Sequence, residues 1–229
     1  MTAPGDLVGF APWTALTDDS PAARDEWAAV IEAWSQTHRR YHDLAHLAAV
    51  LGIVGELAAH ADDPVALRLA AWYHDVVYDP TRSDNEQASA ERARRGLAGL
   101  VPAARIEEVA RLVQLTAGHD PAADDANGAV LCDADLAVLA GPPDAYASYA
   151  SAVREEYRHY SDDVFTAGRI AVLEQLLSLP ALFRLPAVAT EWTPRARANL
   201  TAELSLLRRR AASAAAAPPP PAGRAVPGS

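Results

Sequence analysis

Helical periodicity runs through nearly the whole sequence and limits the possible folds more than any other feature. Between about Ala22 and His38 the apolar residues Trp27, Val30, Ile31 and Trp34 recur at intervals of three and four, so a helix gathers them on one face. Leu44, Leu47, Leu51, Val54 and Leu57 repeat the pattern in a second helix, expected from Tyr41 to Ala61. Asp62-Asp63-Pro64 ends that helix and opens a third, which runs to His74-Asp75. Helices are also expected from Asn85 to Leu97 with Asp84 as cap, and from Pro102 to Thr116. Three more are expected from Pro143 to Tyr160, from Asp163 to Ser178 and from Thr193-Pro194 to Arg210, with a short apolar element from Val130 to Leu139. Half of the residues are hydrophobic, Ala dominates and β-branched runs are short. The expectation is an all-α fold, a single bundle of about seven or more helices over residues 21–210. Residues 1–20 read as a loosely ordered extension, opened to helix by Asp19-Ser20-Pro21, and the Ala/Pro-rich residues 211–229 as a disordered tail.

Charge narrows the partners. The net charge of −10 argues against nucleic acid or an anionic membrane, since both need a basic face. It leaves room for a small phosphate substrate, for which a bound metal would supply local positive charge. All 20 basic residues are arginines, so lysine Schiff-base chemistry and a P-loop lysine are excluded. The lone Cys132 cannot form an internal disulfide. No basic-then-apolar leader and no membrane-length apolar run is present, so a cytoplasmic protein is expected. The oligomeric state is not legible.

Chemistry concentrates around Trp72 to Asp79, where an apolar helix ends in adjacent His74 and Asp75. An imidazole nitrogen and a carboxylate oxygen are both good ligands for a divalent ion, and neighbours about 100° apart on a helix can grip it from two sides. His42 and His46 lie four apart, with His38 completing a stripe; His46 stands between Leu44 and Leu47, where a buried imidazole needs a partner. Asp135 sits among Leu131, Cys132, Leu136 and Leu139, costly company for a carboxylate without a cation. Asp133 is two residues earlier, so the pair reads as two ligands, a ligand and a supporting acceptor, or a ligand and a cap, with Asp135 the preferred ligand. The acids at 120, 124 and 125 lack calcium-loop spacing.

The order His46, His74-Asp75, Asp135 resembles the signature of the HD superfamily of metal-dependent phosphohydrolases. Tyr41-His42-Asp43-Leu44-Ala45-His46 is similar to the opening motif of class I cyclic-nucleotide phosphodiesterases. Asp84-Asn85-Glu86 with Ser89-Ala90, Thr116 with His119, Asp133-Ala134-Asp135-Leu136, and Arg154 with Tyr157 resemble a group of bacterial predicted HD phosphohydrolases. The likeness spans Arg39 to Arg184. It departs at Asp43, where the phosphodiesterases have asparagine, so their purine recognition is not carried over.

The resemblance implies hydrolysis of a nucleotide or other small phosphate ester by metal-activated water. His46, His74, Asp75 and Asp135 would hold one or two ions of Mn, Mg, Ni, Zn or Fe, Asp75 being essential to turnover and able to bridge. His42 would protonate the leaving oxygen. His119, Asn85, Glu86 and Asp133 would support the ligands or a second ion. Arg154, Arg169 and Arg40 are the cations considered for the substrate phosphate, each also able to pair with acids on helix faces. Tyr41, Trp72, Tyr73 and Tyr78 could stack on a base or simply fill the core. Two other readings stay open: a non-catalytic metal-dependent nucleotide-sensing module, and a di-iron oxygenase of the same fold.

Overall fold

A computed structural model describes residues 4–216. The fold is all-α. Its helices are α1 (Pro4–Leu7), α2 (Phe10–Thr14), α3 (Pro21–Trp34), α4 (Leu44–Leu57), α5 (Pro64–Tyr73) and α6 (Asn85–Gly96). They continue with α7 (Ala103–Leu115), α8 (Ala126–Asp135), α9 (Pro143–Glu156), α10 (Asp162–Ser178) and α11 (Pro186–Ala216). Short 3-10 turns follow α4 and α8. Among the described residues the only β feature is one isolated bridge, Ala98 to Val101, in the turn that Gly99 makes at φ 81° between α6 and α7. No helix is long and apolar enough to cross a membrane, again among the described residues.

The core is built around α5. Leu67, Leu69, Ala70, Ala71, Trp72 and Tyr73 are all buried, so this helix is enclosed on most sides, with Arg68 on the partly open one. Trp34 from α3 donates its indole N–H to the Trp72 carbonyl at 2.9 Å, and Trp13 packs edge-on against Trp72 at 5.4 Å. Val109, Leu112 and Val113 of α7 and Val130 and Leu131 of α8 close the same core. A second apolar cluster joins Leu136, Leu139 and Tyr146 to Leu173 of α10 and to Leu182, Phe183, Ala196, Leu200 and Leu204. α4, α5 and α8 therefore share one interior, and α9 joins the second cluster through Tyr146.

Helix starts follow from capping side chains. Ser20 accepts from the Ala23 N–H with Pro21 in the first turn, and Asp63 accepts from Val65 and Ala66 with Pro64 in the first turn. Asp43 accepts from the N–H groups of Ala45 and His46, which starts α4 at Leu44 rather than at Tyr41. His42 consequently stands before the helix, not one turn below His46 on its face. Asp84, expected to cap α6, instead forms a two-pronged pair with Arg82 at 2.8 and 2.9 Å, and Asn85 ties the Asp79 backbone.

Three further expectations change. The first twenty residues were expected to be loose, but Trp13 is fully buried and donates to the Ala23 carbonyl at 2.9 Å, which fixes α1 and α2 against the core. α8 begins four residues earlier than the apolar run at Val130, because Asp125 caps it by accepting from Gly128. α11 starts at Pro186, not at Thr193, and carries Pro194 inside it. Pro186 suits a first turn, Asp133 fixes the two residues before it, and Trp192 packs on Phe183 at 5.4 Å. Residues 211–216 continue α11; the Ala/Pro-rich stretch from 217 onward lies outside the described residues.

Candidate metal centre

Three helix ends meet at one point. His46 is in the first turn of α4, His74 caps the C-terminus of α5 with Asp75 just beyond it, and Asp135 ends α8. The Nε2 atoms of His46 and His74 face each other at 3.1 Å. Asp135 Oδ1 lies 3.2 Å from the first and 3.6 Å from the second. Asp75 Oδ2 lies 3.3 Å from His74 Nε2 and 3.9 Å from His46 Nε2. Metal bonds of about 2.0–2.2 Å place neighbouring ligand atoms roughly 3.0–3.6 Å apart; four of the five separations lie in that range, and Asp75 to His46, at 3.9 Å, lies just beyond it. His46, His74 and Asp75 each offer a ligand atom within 4.8 Å of the others.

The donor chemistry fits as well. His74 Nδ1 lies 2.8 Å from the Ala71 carbonyl, one of the acceptors left open at the end of α5. Donation there leaves Nε2 with its lone pair toward the cluster, as a metal-binding imidazole requires. Two imidazoles and two carboxylates form a donor set for a first-row divalent ion or magnesium. The rings are deeply buried, His74 at 1 % and His46 at 6 % exposure, whereas the carboxylates of Asp75 and Asp135 reach 15 %. The acids therefore mark the open side.

Electrostatics of the cluster follow from this burial. Desolvation pushes His46 down, so its ring is held neutral. Desolvation also acts on His74, but the carboxylates of Asp75 and Asp135 outweigh it and lift the imidazole to about 9. Burial raises Asp75 and Asp135; the facing histidines overcome it and hold both carboxyls well below the usual range.

His42 is presented by a different device. Glu156, at the end of α9, accepts from the backbone N–H groups of Arg40, Tyr41 and His42 at 2.8–2.9 Å through Oε1. Its Oε2 lies 2.7 Å from His42 Nδ1 and accepts from the Tyr78 hydroxyl at 2.9 Å. Burial raises the Glu156 carboxyl, but the His42 hydrogen bond and these donors bring it down to about 2, so it is ionised. Burial likewise lowers His42, yet the Glu156 bond and the nearby acids leave its pKa raised overall. Tyr78 stacks on the His42 ring at 4.2 Å and Tyr41 meets it edge-on at 4.9 Å, so the imidazole has one orientation.

Other sequence candidates fall into distinct places. His119, in a left-handed backbone conformation at φ 51°, reaches Asp135 Oδ2 at 2.8 Å and is part of the cluster rim. Asp133 is fully buried and accepts from the backbone N–H groups of Arg184 and Leu185, so it anchors the start of α11 rather than facing the cluster. Both ends of the Asn85 amide bind the Asp79 backbone, and the Glu86 side chain makes no hydrogen bond among the described residues. The three nominated arginines have other partners. Arg154 binds Asp162 and the carbonyls of Tyr157 and Tyr160, and Arg169 forks onto Glu203 at 2.8 and 3.0 Å. Arg40 binds the Thr37 and Arg39 carbonyls from an exposed position.

Glu156 and Arg39 are the residues sequence reasoning missed. A signal existed for the first: Tyr146, Tyr149, Val153 and Glu156 repeat at three, four and three, placing a carboxylate on a buried stripe. No protein-family model, no curated protein and no solved structure matches this chain.

Proposed function

We propose that the protein is a metal-dependent phosphohydrolase of the HD type, acting on a nucleotide or another small phosphate ester. The observation that carries this reading is the pairing of two features on one open face. His46, His74 and Asp75 converge at ligand spacing with Asp135 3.2 Å from His46, and an oriented, protonatable His42 stands 5.7 Å, ring to ring, from His46. A divalent ion held by those four residues would supply Lewis acidity and a bound water of lowered pKa.

The chain's own residues provide the rest. Glu156 holds His42 by Nδ1, which leaves Nε2 to carry a proton toward the leaving oxygen of an ester. The ionised Glu156 carboxylate keeps that imidazole protonated to higher pH than a free histidine. Tyr41 and Tyr78 restrict the ring, which lowers the cost of bringing proton and leaving group into register. Asp75 and Asp135 would hold the ion from the exposed side of the cluster. A pure binding module has no need of a histidine held this way, and that favours hydrolysis over sensing.

Two esters of similar shape test the reading, p-nitrophenyl phosphate and phenyl phosphate, assayed with Mn2+. Asp75→Ala is expected to abolish turnover of both while the helical fold persists. His42→Ala is expected to slow phenyl phosphate, the poorer leaving group, by ~10²-fold or more and p-nitrophenyl phosphate far less. An active Asp75→Ala protein would rule out the mechanism, and equal losses on the two esters would make His42 structural.

A further inference from the structure

Arg39 is buried to 3 % exposure, and among the described residues no carboxylate lies within ion-pair distance of it. All five of its guanidinium N–H groups are nevertheless used. Nε and Nη2 both donate to Gln36 Oε1 at 3.3 Å, and Nη2 also donates to the Val76 carbonyl at 3.1 Å. Nη1 donates to two carbonyls at once, His42 and Asp75, each at 2.8 Å. The guanidinium lies over the rings of Trp34 at 5.2 Å and Tyr78 at 5.5 Å. Burying a cation this way is costly, and a chain that needed only to bridge loops could use an uncharged donor.

What the arrangement accomplishes is specific. One nitrogen atom fixes the backbone of the proton donor, His42, to the backbone of a ligand 33 positions further on, Asp75. The second prong extends the clamp to Val76, and Gln36 fixes the guanidinium from the solvent side. A planar fork is required, because the two Nη1 hydrogens diverge at a set angle; the single ammonium of lysine has neither the plane nor the reach. We propose that Arg39 is a positioning residue that sets the spacing between the His42 proton donor and the His74–Asp75 ligand pair. The inference rests on the hydrolase reading above.

The test compares wild type, Arg39→Lys and Arg39→Ala on the same two esters, together with Mn2+ binding measured by calorimetry without substrate. Arg39→Lys is expected to lose at least tenfold more kcat on phenyl phosphate than on p-nitrophenyl phosphate, and to bind Mn2+ about tenfold more weakly. Added guanidinium is expected to restore part of the Arg39→Ala loss. Should either variant fail to fold, Gln36→Ala removes the exposed acceptor of two of the five bonds and leaves the buried charge in place. It is expected to shift the ratio of the two kcat values in the same direction by a smaller factor. Folded variants that keep the wild-type ratio and the wild-type Mn2+ affinity would overturn the inference alone. A wild type that binds Mn2+ and hydrolyses neither ester would overturn the hydrolase reading and, with it, the acid that Arg39 is said to position.

Discussion

The Glu156 carboxylate is where a single side chain decides most. It serves three backbone N–H groups, one imidazole and one phenol, so replacing it by glutamine keeps the shape and removes the charge. His42 then loses a partner that raises its pKa. A general acid works in its protonated form, so in Glu156→Gln the high-pH fall of kcat is expected to move to lower pH than in wild type; an unmoved limb would contradict the assignment. At His74 the sign concerns metal. Its metal-free pKa is lifted to about 9, so below that pH an ion must displace a proton, and Mn2+ affinity is expected to fall by about one decade per pH unit. His46, held neutral, adds no such proton. Calorimetry in buffers of different ionisation heat reads this directly. At this scale His46, His74, Asp75 and Asp135 were legible because chemistry-bearing residues stood in apolar company. Glu156 and Arg39 were not, because their partners are backbone atoms that only the fold brings near.

At the scale of elements, the site depends on where helices stop and start. The sequence periodicity located nearly every helix, yet it ran α4 back to Tyr41, since periodicity does not register a cap. Asp43 does two jobs in one position, ending the preceding turn and releasing His42 from the helix. Asp43→Asn keeps an acceptor and is expected to change stability by less than ~0.5 kcal/mol, whereas Asp43→Ala is expected to cost about 1 kcal/mol. Urea unfolding distinguishes the two, and equal losses would mean that the carboxylate has another role. The adjacent His74 and Asp75 diverge because α5 ends at Tyr73: the Ala71 carbonyl fixes the His74 ring while Asp75 lies beyond the helix.

For the whole molecule, Trp72 of α5 couples the N-terminal segment to the site. The composition-based reading treated residues 1–20 as an appendage because Pro and Gly obscure any period there, but Trp13 packs on Trp72, two residues before His74. Trp13→Ala is expected to destabilise the fold by roughly 3–5 kcal/mol in denaturant unfolding, where a loose extension would give almost nothing. Acid stability follows from Glu156. Its folded pKa is near 2 against an ordinary 4.5, so its contribution, on the order of 3 kcal/mol, is fully present above 4.5 and lost as pH falls toward 2. The fold class was legible throughout because helical spacing is local; the two-cluster division and the Glu156 contacts were not, because they depend on packing between distant segments, more than a hundred positions apart for Glu156.

The most direct test is the metal content of protein purified without added metal, by elemental analysis, beside His74→Ala. One or two divalent ions per chain are expected in the wild type, with their loss in the variant. No bound metal in either protein, even after divalent ions are supplied, would contradict the metal-centre reading.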